Sequence, residues 1–317
     1  SGMRTIVRTD ALQTLFMIGA LLLILTQLML RMHLDVEGVV DTVRSSGIDR
    51  IFVFDDWQTK QNFFKQFFSG IFITIVMSGL DQDIMQKNLS IRTLREAKKN
   101  MYIYGSAFVP VNLLFLVLGI LLVAFAGQEG IALPEKTDEL LPMMATDYLG
   151  FGVLLLFSIG IVAAAFSSAD SALTALTTSF CVDILGVDRR STIEAVVIRK
   201  RAHIVISVLF FLIMCVIEML NDTSVIDAIY TIAGYTYGPL LGLFAYGLFM
   251  KGSPRDRYIP GIAFVSPLLC YALQRWLAAA YGYYMGYELL MLNGLITFVG
   301  LMLSAVGRPV VKGFVKK

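Results

Sequence analysis

Charged residues are scarce in this chain of 317 residues, because only 16% are Asp, Glu, Lys or Arg, whereas 57% are hydrophobic. A soluble domain carries about 25% charged residues. The mean hydropathy of +0.73 points the same way. The composition therefore excludes a soluble protein and indicates an integral membrane protein. Basic residues fall in short loops and the formal net charge is only +2, so nothing suggests that the chain binds nucleic acid.

Cysteine and histidine are also rare, with three and two copies. Cys181, Cys215 and Cys270 lie in apolar segments without metal-ligand spacing, which predicts small core residues rather than a disulfide framework. His33 and His203 are far apart in the sequence. The chain has no HExxH, GxSxG or P-loop motif. We therefore expect that the protein is not an enzyme.

Long apolar runs dominate what is present. A membrane-spanning helix needs about 20 mostly apolar residues, and we expect a single transmembrane domain over residues 1–317. The sequence offers eight candidate spans, at residues 11–30, 63–80, 101–126, 150–184, 202–220, 225–250, 258–281 and 289–306.

The connections between these spans alternate along the chain between basic and non-basic. Basic residues cluster in the second, fourth and sixth connections and in the C-terminal tail, whereas the other connections are acidic or nearly uncharged. Basic loops stay on the cytoplasmic side. The alternation predicts a multi-pass protein of the plasma membrane, in bacteria the inner membrane, with both termini cytoplasmic. In the long first connection, "VEGVVDTVRSSG" fits either an amphipathic surface helix or an ordinary outer loop.

The fourth span contains an unusual polar stretch, "AAAFSSADSALTALTTSF". Ser167, Ser171, Thr174 and Thr178 follow helical spacing, and Asp170 flanks them. An acid near the bilayer centre costs about 2.5–3.5 kcal/mol. Oxygen atoms are the ligands that hard cations prefer, so this face predicts a sodium-like site. A structural salt bridge of Asp170 and packing hydroxyls are the alternatives.

Two further segments carry polar or flexible residues inside apolar runs. Asp10 enters the first span in "VRTDALQTLFM", on the side where the fourth span ends, so it could meet the Ser167–Ser171 face. The sixth span contains "TIAGYTYGPLLG" with glycines and Pro239. Such an interruption indicates either a transporter binding site or a purely structural kink.

Three stretches together resemble one family. "GMRTIVRTDALQTLFM" resembles the "GG-x-x-x-V-x-x-TD-x-x-Q" signature of the sodium/solute symporter family, which includes sodium–glucose, sodium–sialic acid and sodium–proline symporters. "FSSADSALTALTTSFCVDIL" resembles its hydroxyl-rich eighth core helix. "GLDQDIMQKNLSIRTLREAKK" resembles the "G-x-x-Q-x-x-x-Q-R" stretch after its sixth core helix.

The resemblance implies an all-α LeuT-type inverted-repeat transporter fold, in which sodium drives solute uptake by alternating access. The eight spans then correspond to the fifth to tenth core helices plus two peripheral ones. We expect a partial fold from which the first four core helices are absent.

The resemblance also implies cation sites. The family's principal sodium site matches three positions of the fourth span, Ala164, Ser167 and Ser168. An additional sodium site of some members matches four positions, Asp10, Ser167, Asp170 and Ser171. Asp170 departs from the serine that sialic-acid-type members carry there, which leaves open whether it meets sodium, a proton or a basic residue.

The expected function is a sodium-coupled symporter that imports a small organic solute, such as a sugar or sialic acid, with Na⁺ as the coupling ion. Candidate solute-binding residues come from the second and sixth spans, namely Thr74, Met77, Tyr235 and Thr236. The alternatives are a transporter-like solute sensor and a fragment without activity. The expected partners are the solute and the lipid bilayer, and the sequence leaves the oligomeric state open.

Overall fold

Eleven α-helices form the part of the chain that a computed structural model describes, which comprises residues 2–47, 50, 52–187, 191–220, 225–250 and 252–305. No strand occurs among these residues, and the all-α class is confirmed. The helices are α1 (Gly2–Arg31), α2 (Val36–Ser45), α3 (Phe63–Gly79), α4 (Gln82–Leu89), α5 (Leu94–Glu129), α6 (Leu140–Met143), α7 (Phe151–Ser179), α8 (Thr192–Leu220), α9 (Val225–Phe249), α10 (Ile259–Tyr281) and α11 (Leu289–Ala305).

Helices occupy all eight apolar runs that the sequence marks as spans. Five helical segments are long and apolar enough to cross a membrane, at Asp10–Arg31, Leu94–Glu129, Phe151–Ile184, Thr192–Met219 and Asp256–Tyr281. The apolar helices α3 and α11 are shorter, with 17 residues each. The total of eight crossings remains a prediction, and residue 306 at the end of the last run lies outside the described residues.

Side-chain caps fix where several helices begin. The Asp35 carboxylate accepts the Gly38 N–H at 2.8 Å at the start of α2. This helix has no buried residue, which agrees with a surface helix. The Thr93 hydroxyl accepts the Glu96 N–H at 3.2 Å and donates to the Glu96 carboxylate at 3.0 Å. The Thr93 side chain thereby satisfies the Glu96 N–H, one of the backbone groups that a helix end leaves without partners.

The described chain divides into two compact units, of which the first is Ser1–Asp49 with Gln82–Ser224. Its core lies where α1, α5, α6 and α7 meet, and α1 packs along α7. Fully buried leucines and aromatic or thioether side chains fill this core, including Leu21, Leu28, Leu121, Phe125 and Met144. A smaller core joins the end of α7 to α8.

The second unit is Arg50–Asp81 with Val225–Lys317, and within it α9 packs closely against α11. Glycines allow this approach. A Cβ atom at Gly238 would lie 2.4 Å from the Asn293 side chain, and one at Gly242 would lie 2.5 Å from the Gly294 carbonyl oxygen. These glycines of "TIAGYTYGPLLG" therefore serve helix packing.

α9 stays helical through Pro239. Proline has no N–H to donate to the carbonyl four residues earlier, which here belongs to Tyr235. The Asn293 amide donates to that Tyr235 carbonyl at 2.9 Å and to the Gly234 carbonyl at 3.0 Å. A side chain of α11 thus supplies the hydrogen bond that the α9 backbone cannot make.

One buried charge lies at the start of α3. The Lys65 side chain is only 6% exposed, and its Nζ lies 3.7 Å from the Glu288 carboxylate and 3.9 Å from the centre of the Tyr283 ring. The Tyr283 hydroxyl donates to Glu288 at 3.0 Å. Burial and the nearby Glu288 charge raise the pKa of Tyr283, so this phenol remains a donor.

All three cysteines are free thiols. Cys181 and Cys270 are buried, as the sequence predicts, but Cys215 on α8 is exposed, so the core prediction is wrong for this residue. α8 buries little of its surface within the described chain. A thiol is apolar enough for such a position on a membrane helix.

Candidate functional site

The polar face of α7 lies against α1. Ser167 and Ser171 are one helical turn apart, so they share a face. α1 runs along this side of α7. The packing brings Asp10 of α1 to the hydroxyls of α7, although 157 positions separate Asp10 from Ser167 in the sequence.

Asp10 is held from two sides. Ser167 donates its hydroxyl hydrogen to Asp10 Oδ1. The Nζ atom of Lys87 lies 3.2 Å from Asp10 Oδ2, and the two side chains are 32% and 30% exposed. Ser179 near the end of α7 donates to Gln82 at the start of α4, which fixes α4 where Lys87 reaches the carboxylate.

Ser171 is 5% exposed, and its hydroxyl oxygen has no hydrogen-bond partner among the described residues. A buried polar group without a partner costs about 1–3 kcal/mol. This oxygen lies one turn beyond Ser167 on the face that contacts α1. It is an oxygen available to a bound ion.

Asp170 is exposed and lines a groove between α1 and α7 together with Ser167, Gln13 and Phe16. Among the Lys and Arg side chains that the structure describes, which begin after residue 9, none lies within 4.0 Å of its carboxylate. The salt-bridge alternative for this acid therefore has no support from those residues, whereas Asp10 does have a basic partner.

The three positions of the expected principal sodium site differ in exposure. Ala164 and Ser167 are half-buried, and Ser168 is exposed. Adjacent helical residues point about 100° apart, since a turn has 3.6 residues. Ser167 faces Asp10, so its oxygen is common to both expected cation sites.

Lys87 is a site residue that the sequence analysis did not single out, because the second connection served there only as evidence for topology. The sequence does contain one indication that Lys87 belongs to the site. Lys87 directly follows Gln86, where the stretch after the sixth core helix of the symporter family has a basic residue. Its partner in space could not be predicted from that pattern.

The four candidate solute residues all belong to the second unit. Thr74 and Thr236 are exposed, whereas Met77 and Tyr235 are half-buried. The Thr236 hydroxyl donates to its own helix, at 2.8 Å from the Ile232 carbonyl oxygen. The Tyr235 hydroxyl donates to Gln274 of α10.

The site contains oxygen ligands and no transition-metal arrangement. Among the described residues, no group of three or more His, Cys, Asp or Glu side chains could hold a metal ion. The all-α arrangement of long apolar helices, with an acid of α1 against a hydroxyl of α7, is the LeuT-type fold class. A solved structure supports this class: a Na⁺-coupled sialic acid symporter, in a substrate-bound outward-open state, matches 95% of this chain and 62% of that chain with a TM-score of 0.73 and 22% identity.

The profile of the Sodium:solute symporter family matches residues 1–255, and the chain belongs to this family, whose members are transporters and not enzymes. It is 23% identical to the sodium/sialic acid symporter SiaT of Proteus mirabilis (strain HI4320) and 24% identical to NanT of Aliivibrio fischeri (strain ATCC 700601 / ES114), each over 269 residues and 82% of this chain. The chain spans about half the length of these relatives, 54% and 53%.

Proposed function

We propose that the chain provides the sodium-binding part of a symporter that couples Na⁺ entry to the uptake of a small organic solute. The observation that carries this proposal is the contact of Asp10 with Ser167, which joins an acid of α1 to the hydroxyl face of α7. Family membership supports sodium as the coupling ion. Sialic acid, which both curated relatives carry in their names, is the first solute to test.

The proposed principal sodium site uses the Ala164 carbonyl oxygen and the hydroxyls of Ser167 and Ser168. These are neutral oxygen ligands, which suit a hard monovalent cation. A carbonyl oxygen has two lone pairs, so Ala164 can bind an ion while it accepts a bond within α7.

The proposed second cation site uses Asp10, Ser167, Asp170 and Ser171. Two carboxylates near each other repel, but Lys87 offsets the charge of Asp10. One positive and two negative side chains leave one negative charge, and exchange of the Lys87 ammonium for one Na⁺ keeps that charge unchanged. We propose that the Lys87 ammonium pairs with Asp10 while sodium is absent, and that sodium displaces it.

The proposed solute site lies in the second unit and uses Thr74, Met77, Tyr235 and Thr236. Tyr235 is held in place within this set, because Asn293 donates to its carbonyl and its hydroxyl donates to Gln274. In the proposed topology the basic connections face the cytoplasm of a cell whose plasma membrane holds the protein.

Uptake by the complete gene product in proteoliposomes tests the function. Radiolabelled sialic acid should accumulate when an inward Na⁺ gradient is present and should not when K⁺ replaces Na⁺. Uptake that ignores sodium contradicts the symport proposal. Solute binding without uptake under either gradient favours a sensor instead.

Serine variants test the principal site. Ser168→Ala and Ser167→Ala each remove one oxygen ligand and should raise the Na⁺ concentration for half-maximal uptake about fivefold or more, since a lost ligand to a charge is worth at least about 1 kcal/mol. Ser207→Ala is the matched control, because the Ser207 hydroxyl donates to the His203 carbonyl at 2.8 Å on another helix. If both α7 variants keep the control's sodium dependence, the site assignment is wrong.

A further inference from the structure

Three polar side chains are buried together where α9, α10 and α11 meet in the second unit. They are Ser266 of α10 with Asn293 and Thr297 of α11, and each is at most 1% exposed. A buried polar group costs free energy unless it is hydrogen-bonded, and between spanning helices no bulk water replaces a missing partner. The hydrogen bonds of this polar cluster therefore show which groups hold one another.

These hydrogen bonds fix which end of the Asn293 amide faces α9. The carbonyl oxygens of Gly234 and Tyr235 lie 3.0 Å and 2.9 Å from Asn293 Nδ2. A carbonyl oxygen only accepts, so the NH₂ group faces α9 and uses both of its hydrogens there. The amide oxygen then faces Ser266, which donates its hydroxyl hydrogen to Asn293 Oδ1, the shorter of its two contacts with this residue.

Thr297 completes a chain of hydrogen bonds that runs from α11 through α10 to α9. The Thr297 hydroxyl lies 2.9 Å from Ser266 Oγ and 3.0 Å from the Asn293 carbonyl oxygen, and either atom can accept its one hydrogen. Every side-chain hydrogen on nitrogen or oxygen in the polar cluster thus has an acceptor. A fully satisfied buried network is rigid, so Asn293 cannot turn away from α9 without losing its bond to Ser266.

The Asn293 amide acts on one particular peptide unit of α9. Pro239 has no N–H for the Tyr235 carbonyl, and Asn293 donates to it instead. The Tyr235 carbonyl carbon is bonded to the Thr236 nitrogen, and a peptide unit is planar. The plane that Asn293 holds therefore joins Tyr235 to Thr236, which are the two proposed solute residues of α9.

Tyr235 is also held at the far end of its side chain. Its hydroxyl donates to Gln274 of α10, the helix that also carries Ser266. Without the Asn293 donor, the Tyr235 carbonyl would have to tilt toward another hydrogen. A tilt of this peptide plane moves the side chains on both sides of it, so the amide controls where they lie.

We propose that Asn293 is a positioning residue for solute recognition. It holds the peptide unit between Tyr235 and Thr236 in the orientation in which both side chains meet the solute. Ser266 and Thr297 hold Asn293 in turn. This inference rests on the proposed solute site of the second unit, and it assigns the effect to the hydrogen that Asn293 donates and not to the space that it fills.

Equilibrium binding of sialic acid to the complete gene product in detergent, at saturating Na⁺, tests the proposal. N293A leaves the Tyr235 carbonyl without its donor and should raise the dissociation constant about tenfold, within the range for an unsatisfied buried group. S304A is the matched control, because the Ser304 hydroxyl donates to the Leu301 carbonyl at 2.8 Å within α11. A substitution away from the polar cluster should change the constant by less than about twofold.

Restoration of the backbone hydrogen bond separates positioning from packing. P239A returns an N–H to position 239, where α9 is already helical, so the Tyr235 carbonyl regains a donor four residues along its own helix. The double variant P239A/N293A should bind sialic acid within about twofold of P239A alone. S266A leaves both Asn293 hydrogens in place and removes only their support, so its loss should be smaller, about threefold.

Hydrogen–deuterium exchange monitors the α9 backbone without any solute. The amides of α9 around Tyr235 should exchange about tenfold faster in N293A than in S304A, because a helix with fewer hydrogen bonds opens more often. P239A/N293A should return to the slow exchange of the control.

The outcomes distinguish this proposal from the proposed function. If the parent protein shows no sodium-dependent binding of sialic acid, the proposed solute is wrong, and the exchange rates alone decide whether Asn293 holds α9. Equal exchange in N293A and S304A would overturn the proposal. Parent-like affinity of N293A would also overturn it, and so would a loss of affinity that P239A does not restore, since Asn293 would then only fill space.

Discussion

Asp10 illustrates how one side chain in this protein contacts two others with different chemistry. One carboxylate oxygen accepts a hydroxyl hydrogen from Ser167, and the other meets the Lys87 ammonium. An ammonium and a sodium ion carry the same charge, so each can satisfy the same carboxylate. Lys87 is therefore a tethered competitor of sodium at the proposed second site.

Substitution of Lys87 tests this competition. Lys87→Met removes the ammonium and keeps most of the side-chain length, so sodium should bind the second site more tightly. A partly exposed ion pair contributes up to about 1 kcal/mol, which predicts a decrease of up to about fivefold in the Na⁺ concentration for half-maximal uptake. Sodium titrations of solute uptake measure it.

Lys87→Arg is the matched control, because it keeps the positive charge and should leave the sodium dependence close to that of the parent. A higher sodium requirement in Lys87→Met would show that the ammonium supports the site rather than competes for it. The proposed displacement would then be wrong.

At the scale of helices, the close packing of α9 against α11 depends on glycine residues, which have no side chain. A Cβ atom at Gly238 would lie 2.4 Å from Asn293, which is fully buried. Gly238→Ala should therefore force the helices apart and lower the free energy of unfolding by about 1–3 kcal/mol, the range for overpacked cores. Thermal unfolding in detergent, followed by circular dichroism, measures the loss.

Gly247→Ala on the same helix is the matched control. Nothing lies within 4 Å of a Cβ atom there, and alanine favours a helix over glycine by up to about 1 kcal/mol. This variant should unfold at the parent temperature or slightly above it. Equal destabilisation of both variants would contradict close packing at Gly238.

Local patterns in the sequence predicted these elements well. Apolar runs mark where the long helices lie, because helical periodicity is a local property. The hydroxyl stripe of α7 divides in the structure, since Ser167 contacts α1 whereas Thr174 and Thr178 line a separate groove beside α8. Contacts between segments that are distant in the sequence were harder to predict. Lys87 meets Asp10, and Asn293 meets Tyr235, only because particular helices pack side by side, which no local pattern records. The exposure of Cys215 likewise depends on what covers α8.

At the scale of the whole molecule, two of the apolar helices, α3 and α11, are shorter than the hydrocarbon layer is thick. The 17 residues of α3 and of α11 rise about 26 Å at 1.5 Å per residue. A hydrocarbon layer is about 30 Å thick, and shorter helices are accommodated by bilayer thinning or flanking polar residues at modest cost. The lengths of α3 and α11 are therefore compatible with the proposed topology of eight spans.

Thiol labelling in intact cells tests that topology. Glu135→Cys should react with a membrane-impermeant maleimide added outside, whereas Lys98→Cys should react only after the cells are opened. Both positions are exposed. Cys181 and Cys270 are buried, and Cys215 lies in the apolar span of α8, so the native thiols should give little background, and Cys215→Ala removes the exposed one. Reaction of Lys98→Cys in unopened cells would contradict the proposed orientation.

The bond from Asn293 to the Tyr235 carbonyl has an evolutionary consequence. Pro239 creates the need for a donor, and Asn293 meets it from another helix. A descendant that replaces the proline regains the backbone hydrogen bond, and selection on the asparagine relaxes. The reverse order exposes a buried carbonyl without a partner, which selection removes. Positions 239 and 293 should therefore covary among relatives, with the proline rarely found where the amide is missing.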